Sequence, residues 1–293
     1  MSILDDLKLQ IKSGDVVTKL IFWNIAFFAI PYIVFGILQL FHINIDFLRY
    51  VSLSSDPPDL LWKPWSLISY SFFHSGIFHI LFNLIMLNFV GRLFLIFFTQ
   101  KQLLSLYFVG SIFAGIIYLI SYRFIPALEG ITVSVVGASA SVMAILFATV
   151  AYAPLMNIRL MFFGNVKLWH ISLILIIVDL VQLPMENTGG HLAHLGGAFF
   201  GYIYVQQLKQ GRDICSLFSW ILDGLVNVFG KNKSVPFKKV HRNYNQPPAK
   251  AISKIVTKDK KQQQIDEILD KISQSGYESL SKEEKEFLFK SGN

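Results

Sequence analysis

The sequence contains one cysteine and few charged residues. Cys215 is the only cysteine among 293 residues. No disulfide can therefore form within the chain, and no cysteine-based metal site can be built from it. Only 15% of the residues are charged, whereas 53% are hydrophobic. Soluble domains carry about a quarter charged residues. This balance argues against an ordinary soluble domain and indicates a membrane protein.

Positive charge is also scarce outside the C-terminal part of the chain. Residues 1–208 hold 10 Lys/Arg and 9 Asp/Glu, whereas residues 209–293 hold 16 and 10, so the tail supplies most of the net charge of +7. A basic tail beside a membrane is typical of topology signals and of attraction to anionic lipids. The chain lacks the interleaved aromatic and basic residues of a nucleic-acid-binding surface. We therefore predict contact with a lipid bilayer and no nucleic-acid partner.

The N-terminal region lacks the layout of a cleaved signal peptide. Residues 1–19 mix acidic and basic residues instead of placing a basic stretch before an apolar one. We expect the first apolar run to remain in the protein, preceded by a cytoplasmic segment over 1–19. No repeat occurs at a fixed period, which argues against a solenoid.

Six apolar stretches approach the length of about 20 residues that crosses a bilayer. They lie at 20–41, 78–98, 102–122, 138–154, 168–183 and 191–208. The pattern predicts an all-α, polytopic membrane domain of six transmembrane helices over residues 20–208. The fourth and fifth stretches are short, which is typical of helices that begin or end around a cavity below the membrane surface.

The distribution of Lys and Arg predicts the orientation of these helices. The connections on one side, together with the tail, carry most of the basic residues, so both termini should be cytoplasmic. Helices 2, 4 and 6 would then start at the outer side. Since the chain has no transit features, we expect a bacterial cytoplasmic membrane. The aromatic and proline-rich connection 42–77 is predicted to lie partly in the outer leaflet, the alternative being an exposed loop with interfacial anchors.

The chain beyond the last apolar stretch divides into two predicted parts. Residues 209–262 should form an interfacial helix, anchored by Trp220, and a basic linker. Residues 263–293 should form a small cytoplasmic helical hairpin, in which Gly276 ends the first helix and Ser281 with Glu284 forms a capping box for the second. This hairpin is predicted to bind a cytoplasmic partner, and a solvated, frayed tail is the alternative.

A serine and a histidine lie at membrane depth, where polar side chains are costly unless they find a partner. Ser139 follows Gly137 among small residues, and by itself this G-x-S sequence is a weak signal. His194 precedes Gly197 and Gly201, a G-x-x-x-G ridge that allows close helix packing. Docking this ridge onto the small-residue face at Ala140 would bring the hydroxyl and the imidazole together. A polar pair that only joins two helices is the alternative.

A second polar pair stands at the start of the second apolar stretch. His79 and Asn83 are four residues apart and share a helix face. Together with the backbone N–H of Ser139, both side chains could donate hydrogen bonds to a developing oxyanion. The alternative is a satisfied polar pair at a helix end.

The order H-x-x-x-N, then G-x-S, then A-H-x-x-G-x-x-x-G resembles the rhomboid family of intramembrane serine proteases. The resemblance covers residues 20–208, and Trp65 lies where the loop tryptophan of the family is expected. It implies that Ser139 is the nucleophile, His194 the base, and His79 and Asn83 the oxyanion donors. It further implies a dyad without a carboxylate, no cofactor or metal, and transmembrane proteins as substrates.

Several positions depart from the commoner family pattern. Ala140 stands where glycine usually follows the nucleophile, and Ser66 stands where many members have arginine. Met143 occupies the position of an aromatic residue that often stacks on the catalytic imidazole, for which a sulfur–ring contact could substitute. Gly91 is kept, but the acid that often follows it is absent. None of these changes removes a reacting group.

Two other functions remain as alternatives. One is a rhomboid-like scaffold that binds membrane clients without cutting them. The other is a metal transporter that uses the intramembrane histidines and Asp179, although no acid pairs with the His-x-x-His spacing of His191 and His194. We interpret His74 as an interfacial loop histidine, His191 as lining the mouth above His194, and Asp179 as a residue that could simply be hydrated.

Overall fold

The computed structural model describes residues 5, 9, 11, 13–160, 164–229 and 252–291. These residues are mostly helical. The long helices are α1 (Val16–Leu40), α2 (Ile77–Phe94), α3 (Gln100–Phe124), α4 (Ser139–Tyr152), α5 (Leu168–Gln182), α6 (Thr188–Lys209), α7 (Ser216–Phe229), α8 (Ile252–Ser275) and α9 (Lys282–Ser291). The chain separates into two compact units, 1–232 and 233–293.

Helices α1 to α6 coincide with the six predicted apolar stretches. Among the described residues, α1, α2 and α3 are long and apolar enough to cross a membrane. The apolar helices α4 and α5 have 14 and 15 residues. A helix of that length rises only about 21 Å, less than the bilayer core of about 30 Å. The protein is thus a multi-pass membrane protein, and a crossing by all six helices stays a prediction.

Helix α1 begins earlier than the sequence indicated. Asp15 caps it by accepting a hydrogen bond from the backbone N–H of Thr18 at 2.8 Å. Such a cap satisfies one of the donors left free at a helix start. The helix therefore begins at Val16, inside the segment 1–19 that was predicted to precede it.

Helix α4 lies at the centre of the first unit. Nine of its 14 residues are buried, and it contacts α2, α3, α5 and α6. The closest approach is to α6, where a Cβ on Gly197 or Gly201 would collide with the carbonyl oxygen of Ala140 or Ala144. These glycines let the two helix backbones touch, as small residues do in membranes.

The described residues are mostly helical, as predicted, and they also include two short antiparallel ladders that the sequence did not indicate. β1 (Leu53–Ser54) pairs with β2 (Ser134–Val135), and β3 (Asn157–Leu160) pairs with β4 (Gly164–Lys167). Strands β1 and β2, with two residues each, are too short for a period-two pattern to reveal them. The first ladder also joins segments some eighty residues apart, so only the tertiary fold creates it.

The connection between α1 and α2 is more structured than an open loop. It contains three short helices, Leu48–Val51, Pro57–Trp62 and Ser66–Ser69. Trp65 is 52% exposed, and its indole N–H donates to the carbonyl of Tyr50 at 2.8 Å. The connection also holds the chain that leads into α4, because the carbonyl of Tyr70 accepts a hydrogen bond from the N–H of Gly137 at 2.8 Å.

Helix α7 occupies the place of the predicted interfacial helix. It is tied to α3 by an ion pair between Lys101 and Asp223 at 2.5 Å and a hydrogen bond between Ser105 and Ser219 at 2.7 Å. Trp220 remains 71% exposed, as an interfacial anchor requires. Its position in a membrane interface stays a prediction.

The second unit contains α8 and α9. Helix α8 begins at Ile252, so residues 252–262 are helical, contrary to the predicted linker, while 230–251 lie outside the described residues. The capping box is present: Glu284 accepts from the N–H of Ser281 at 2.7 Å, and Ser281 accepts from the N–H of Glu284 at 3.2 Å.

Candidate active site

A cavity of about 570 Å³ lies between α2, α4, α5 and α6. The polar side chains that the sequence singled out in four separate segments all line it. They are His79, Asn83, Ser139, Asp179, His191 and His194. Concave sites with a few convergent polar groups are the usual form of a binding or catalytic site.

Ser139 and His194 are joined by a hydrogen bond inside this cavity. The serine Oγ lies 2.7 Å from Nε2 of the histidine, within the range in which a base can take a proton. Ser139 begins α4, whereas His194 lies in the second turn of α6. The glycine ridge of Gly197 and Gly201 sets this distance, because it removes the side chains that would separate α6 from α4.

Gly137 keeps open the space beside the serine. It has φ +130°, and a Cβ placed on it would lie 2.7 Å from Nε2 of His79 and 3.6 Å from Oγ of Ser139. The point next to Gly137 is therefore close to both polar atoms. Any side chain here would fill a space in which an oxygen atom could contact both groups.

The ring of His79 presents a donor to that space. Its Nδ1 accepts from the backbone N–H of Ser75 at 3.4 Å and lies 3.1 Å from the hydroxyl of the same residue. A ring nitrogen that accepts carries no proton, so in the neutral ring the proton is on Nε2. This nitrogen is the one that lies beside Gly137, which makes the ring a hydrogen-bond donor there.

Asn83 lies one turn further along α2 and is buried. One N–H of its amide donates to the carbonyl of His79 at 2.8 Å. The amide nitrogen carries a second N–H, which has no acceptor among the described residues and so can donate to a ligand in the cavity. Its Oδ1 is buried and has no hydrogen-bond partner among the described residues.

His74 was misinterpreted from the sequence as an interfacial loop histidine. The residue is fully buried, its Nε2 accepts from the N–H of Ala138 at 3.4 Å, and its ring stands edge-on to His79 at 5.1 Å. Burial, together with the neighbouring His79, lowers the pKa of His74 to about 3, so this ring is neutral. It supports both the backbone before Ser139 and the imidazole of His79, and no local sequence signal reveals this contact.

The expectation that no acid lies near the histidines was also wrong. Oδ1 of Asp179 lies 2.8 Å from Nδ1 of His194 and 2.7 Å from Nδ1 of His191. As a whole residue, Asp179 is only 5% exposed, and its partners are the two histidines rather than the solvent that was expected at a helix end. The sequence signal that could have found this contact is the presence of an acid in an apolar helix.

Ala140 and Met143, the two residues near the serine that differ from the commoner family pattern, have different surroundings. Ala140 is buried where its carbonyl meets Gly197 of α6. Met143, one turn further along, is also buried and lines the cavity. Both side chains fit without blocking the approach between Ser139 and His194.

Fold and site together define a class: multi-pass helical membrane proteins in which a serine and a histidine on different helices meet inside a cavity. Residues 61–210, about half of the chain, match the family model of the Rhomboid domain. The chain belongs to the rhomboid family, as its motifs indicated.

One relative and one further family model also match. Over 158 residues the chain is 30% identical to RHOMBOID-like protein 12, mitochondrial, of Arabidopsis thaliana, a match covering 50% of this chain and 47% of the relative. The chain thus spans about half the length of the curated relative it matches. Residues 256–290, in α8 and α9, match DUF6576, a family of unknown function.

Proposed function

We propose that this protein is an intramembrane serine endopeptidase that cleaves transmembrane segments of other membrane proteins. The observation that carries the proposal is the 2.7 Å hydrogen bond between Ser139 and His194 inside the cavity. Membership of the rhomboid family, which generally comprises intramembrane serine proteases, supports it. The proposed reaction needs no metal or cofactor.

In the proposed reaction, Oγ of Ser139 attacks the scissile carbonyl carbon while its proton passes to Nε2 of His194. The electron pair of the carbonyl moves onto its oxygen. This oxygen accepts hydrogen bonds from the backbone N–H of Ser139 and from the side chains of His79 and Asn83. His194 then gives its proton to the departing amine as the C–N bond breaks. Water repeats the sequence on the acyl-enzyme and releases the acid.

The length of α4 bears on where the substrate is cut. The helix begins at the nucleophile and rises only about 21 Å, so we infer that the serine lies below the outer membrane surface. A transmembrane helix hides its carbonyls in its own hydrogen bonds, and the substrate must therefore unwind near its outer end before it enters. Small or helix-weakening residues near that end are the preference that we propose.

A serine-directed fluorophosphonate tests the activity. Detergent-solubilised wild-type protein should be labelled and should cleave a model transmembrane substrate, whereas Ser139→Ala should do neither. The matched control is Ser141→Ala, which removes a buried hydroxyl two residues away that bonds to the carbonyl of Tyr107. Wild-type protein that is folded but neither labels nor cleaves would leave the client-binding scaffold as the function.

We further propose that six helices span the bacterial cytoplasmic membrane with both termini cytoplasmic, and that the C-terminal hairpin contacts a cytoplasmic partner. In a Cys215→Ala background, a membrane-impermeant maleimide should label Thr132→Cys, an exposed position before α4, in intact cells. Arg159→Cys, an exposed position in β3, should be labelled only after permeabilisation. The reverse pattern would invert the proposed topology.

A further inference from the structure

Asp179 connects two histidines through a single oxygen atom. Its Oδ1 lies 2.8 Å from Nδ1 of His194 and 2.7 Å from Nδ1 of His191. The two histidines are three residues apart on α6 and therefore share a face of that helix. Their rings stand nearly perpendicular, at 86°, and each presents its Nδ1 to the carboxylate of Asp179 on α5.

These contacts define which nitrogen of each ring carries the proton. An ionised carboxylate only accepts hydrogen bonds, so both Nδ1 atoms are donors. In neutral His194 this leaves Nε2 without a proton, and Nε2 is the atom that faces Oγ of Ser139 at 2.7 Å. The carboxylate thus selects the form of His194 that can accept the serine proton.

Because Asp179 and His191 are buried, the carboxylate holds His194 firmly in this tautomer. The side chains of Asp179 and His191 are 7% and 9% exposed, whereas that of His194 is 22% exposed and faces the cavity. Water therefore competes little for the carboxylate, and two hydrogen bonds fix one of its oxygens. Donors and acceptors that are already oriented around a buried carboxylate cost no rearrangement during the reaction.

We propose that Asp179 is the positioning residue of a Ser139–His194–Asp179 triad, and that His191 holds its carboxylate in place. This inference rests on the proposed function and goes beyond the dyad that the family resemblance implies. Asp179 exchanges no proton: it orients the ring of His194 and stabilises the positive charge that forms when Nε2 takes the proton of Ser139. A carboxylate in this role keeps the base in the correct tautomer.

The kinetic test compares Asp179→Asn with wild-type protein. The amide keeps the shape of the side chain but loses the charge and one acceptor oxygen. We expect kcat for a model transmembrane substrate to fall by at least about tenfold with an unchanged KM, and the rate of fluorophosphonate labelling to fall in parallel. Ser172→Ala, which removes a buried hydroxyl bonded within the same helix, should retain wild-type kinetics.

The spectroscopic test does not depend on activity. Protein carrying ¹⁵N-labelled histidine should show strongly deshielded Nδ1–H protons for His194 and His191 by NMR. Both should be absent in Asp179→Asn and present in Ser139→Ala. This test separates the two proposals, since wild-type protein that fails to label or cleave but retains these protons would refute the protease and leave the positioning contact intact.

Three results would overturn the inference. The first is an active Asp179→Asn variant with wild-type kcat. The second is a loss of kcat that follows a loss of thermal stability, since a purely structural residue would behave in that way. The third is loss of wild-type labelling on treatment with a chelator, which would assign these three clustered side chains to a metal ion.

Discussion

Replacing His194 with alanine is expected to lower the rate of substrate cleavage by about 10⁴-fold or more. The imidazole is the group within hydrogen-bond distance of the serine Oγ, at 2.7 Å. Without it, a neutral hydroxyl would have to attack an amide carbonyl in a cavity where no other base touches Oγ among the described residues. Whatever cleavage remains would come from substrate binding and the oxyanion donors.

The measurement is the initial rate of cleavage of a model transmembrane substrate in detergent, with fluorophosphonate labelling as a second readout. His170→Ala is the matched control, because the ring of this histidine meets that of Trp169 edge-on in α5 and does not line the cavity. It should retain activity. Cleavage by His194→Ala at a rate near that of the wild type would contradict the assignment of the base.

The helical framework could be predicted because each membrane helix is indicated by the apolar run of its own residues. An apolar run of sufficient length has few other stable structures in a bilayer, since its backbone must satisfy its own hydrogen bonds. The predicted stretches therefore coincide with α1 to α6. Their exact ends could not be predicted, because they depend on caps such as Asp15, whose carboxylate moves the start of α1 to Val16.

The candidate site could be predicted only where its residues stand in short patterns. His79 with Asn83, and His194 with its glycine ridge, carry such patterns, and the structure brings them into one cavity. Asp179 and His74 carry none that specifies a partner. Their contacts cross from one helix or loop to another, to His194 and Ala138, so they follow from tertiary packing alone.

The same distinction explains why the sequence predicted a hydrated Asp179 in α5 and no acid near the histidines. From the sequence, Asp179 lies near a helix end, where an acid is commonly hydrated. In the structure, the close docking of α6 against α4 leaves His191 and His194 facing α5, and the acid is enclosed between them. A polar residue in an apolar helix therefore predicts that a partner exists, but the identity of the partner is a property of the packed fold.

The docking of α6 on α4 can be tested at Gly201, where a leucine is expected to lower the rate of cleavage by about 10²-fold or more and to lower the melting temperature. A Cβ at this position would collide with the carbonyl oxygen of Ala144 and would lie 2.8 Å from its carbonyl carbon. Helix backbones cannot give way as a flexible side chain can, so the two helices must separate. Overpacking of this kind costs about 1–3 kcal/mol or more.

Separation of the helices should affect catalysis more than stability. Ser139 lies on α4 and His194 on α6, so a shift of about 1 Å between the helices lengthens their hydrogen bond, and a misplacement of that size can cost about 10²-fold in rate. Gly36→Leu is the matched control, because among the described residues no atom outside the adjoining backbone of α1 lies within 4 Å of a Cβ at Gly36. Thermal unfolding and fluorophosphonate labelling of both variants decide the outcome. If Gly201→Leu kept the wild-type melting temperature and labelling rate, close contact between α4 and α6 would not be what brings the serine to its base.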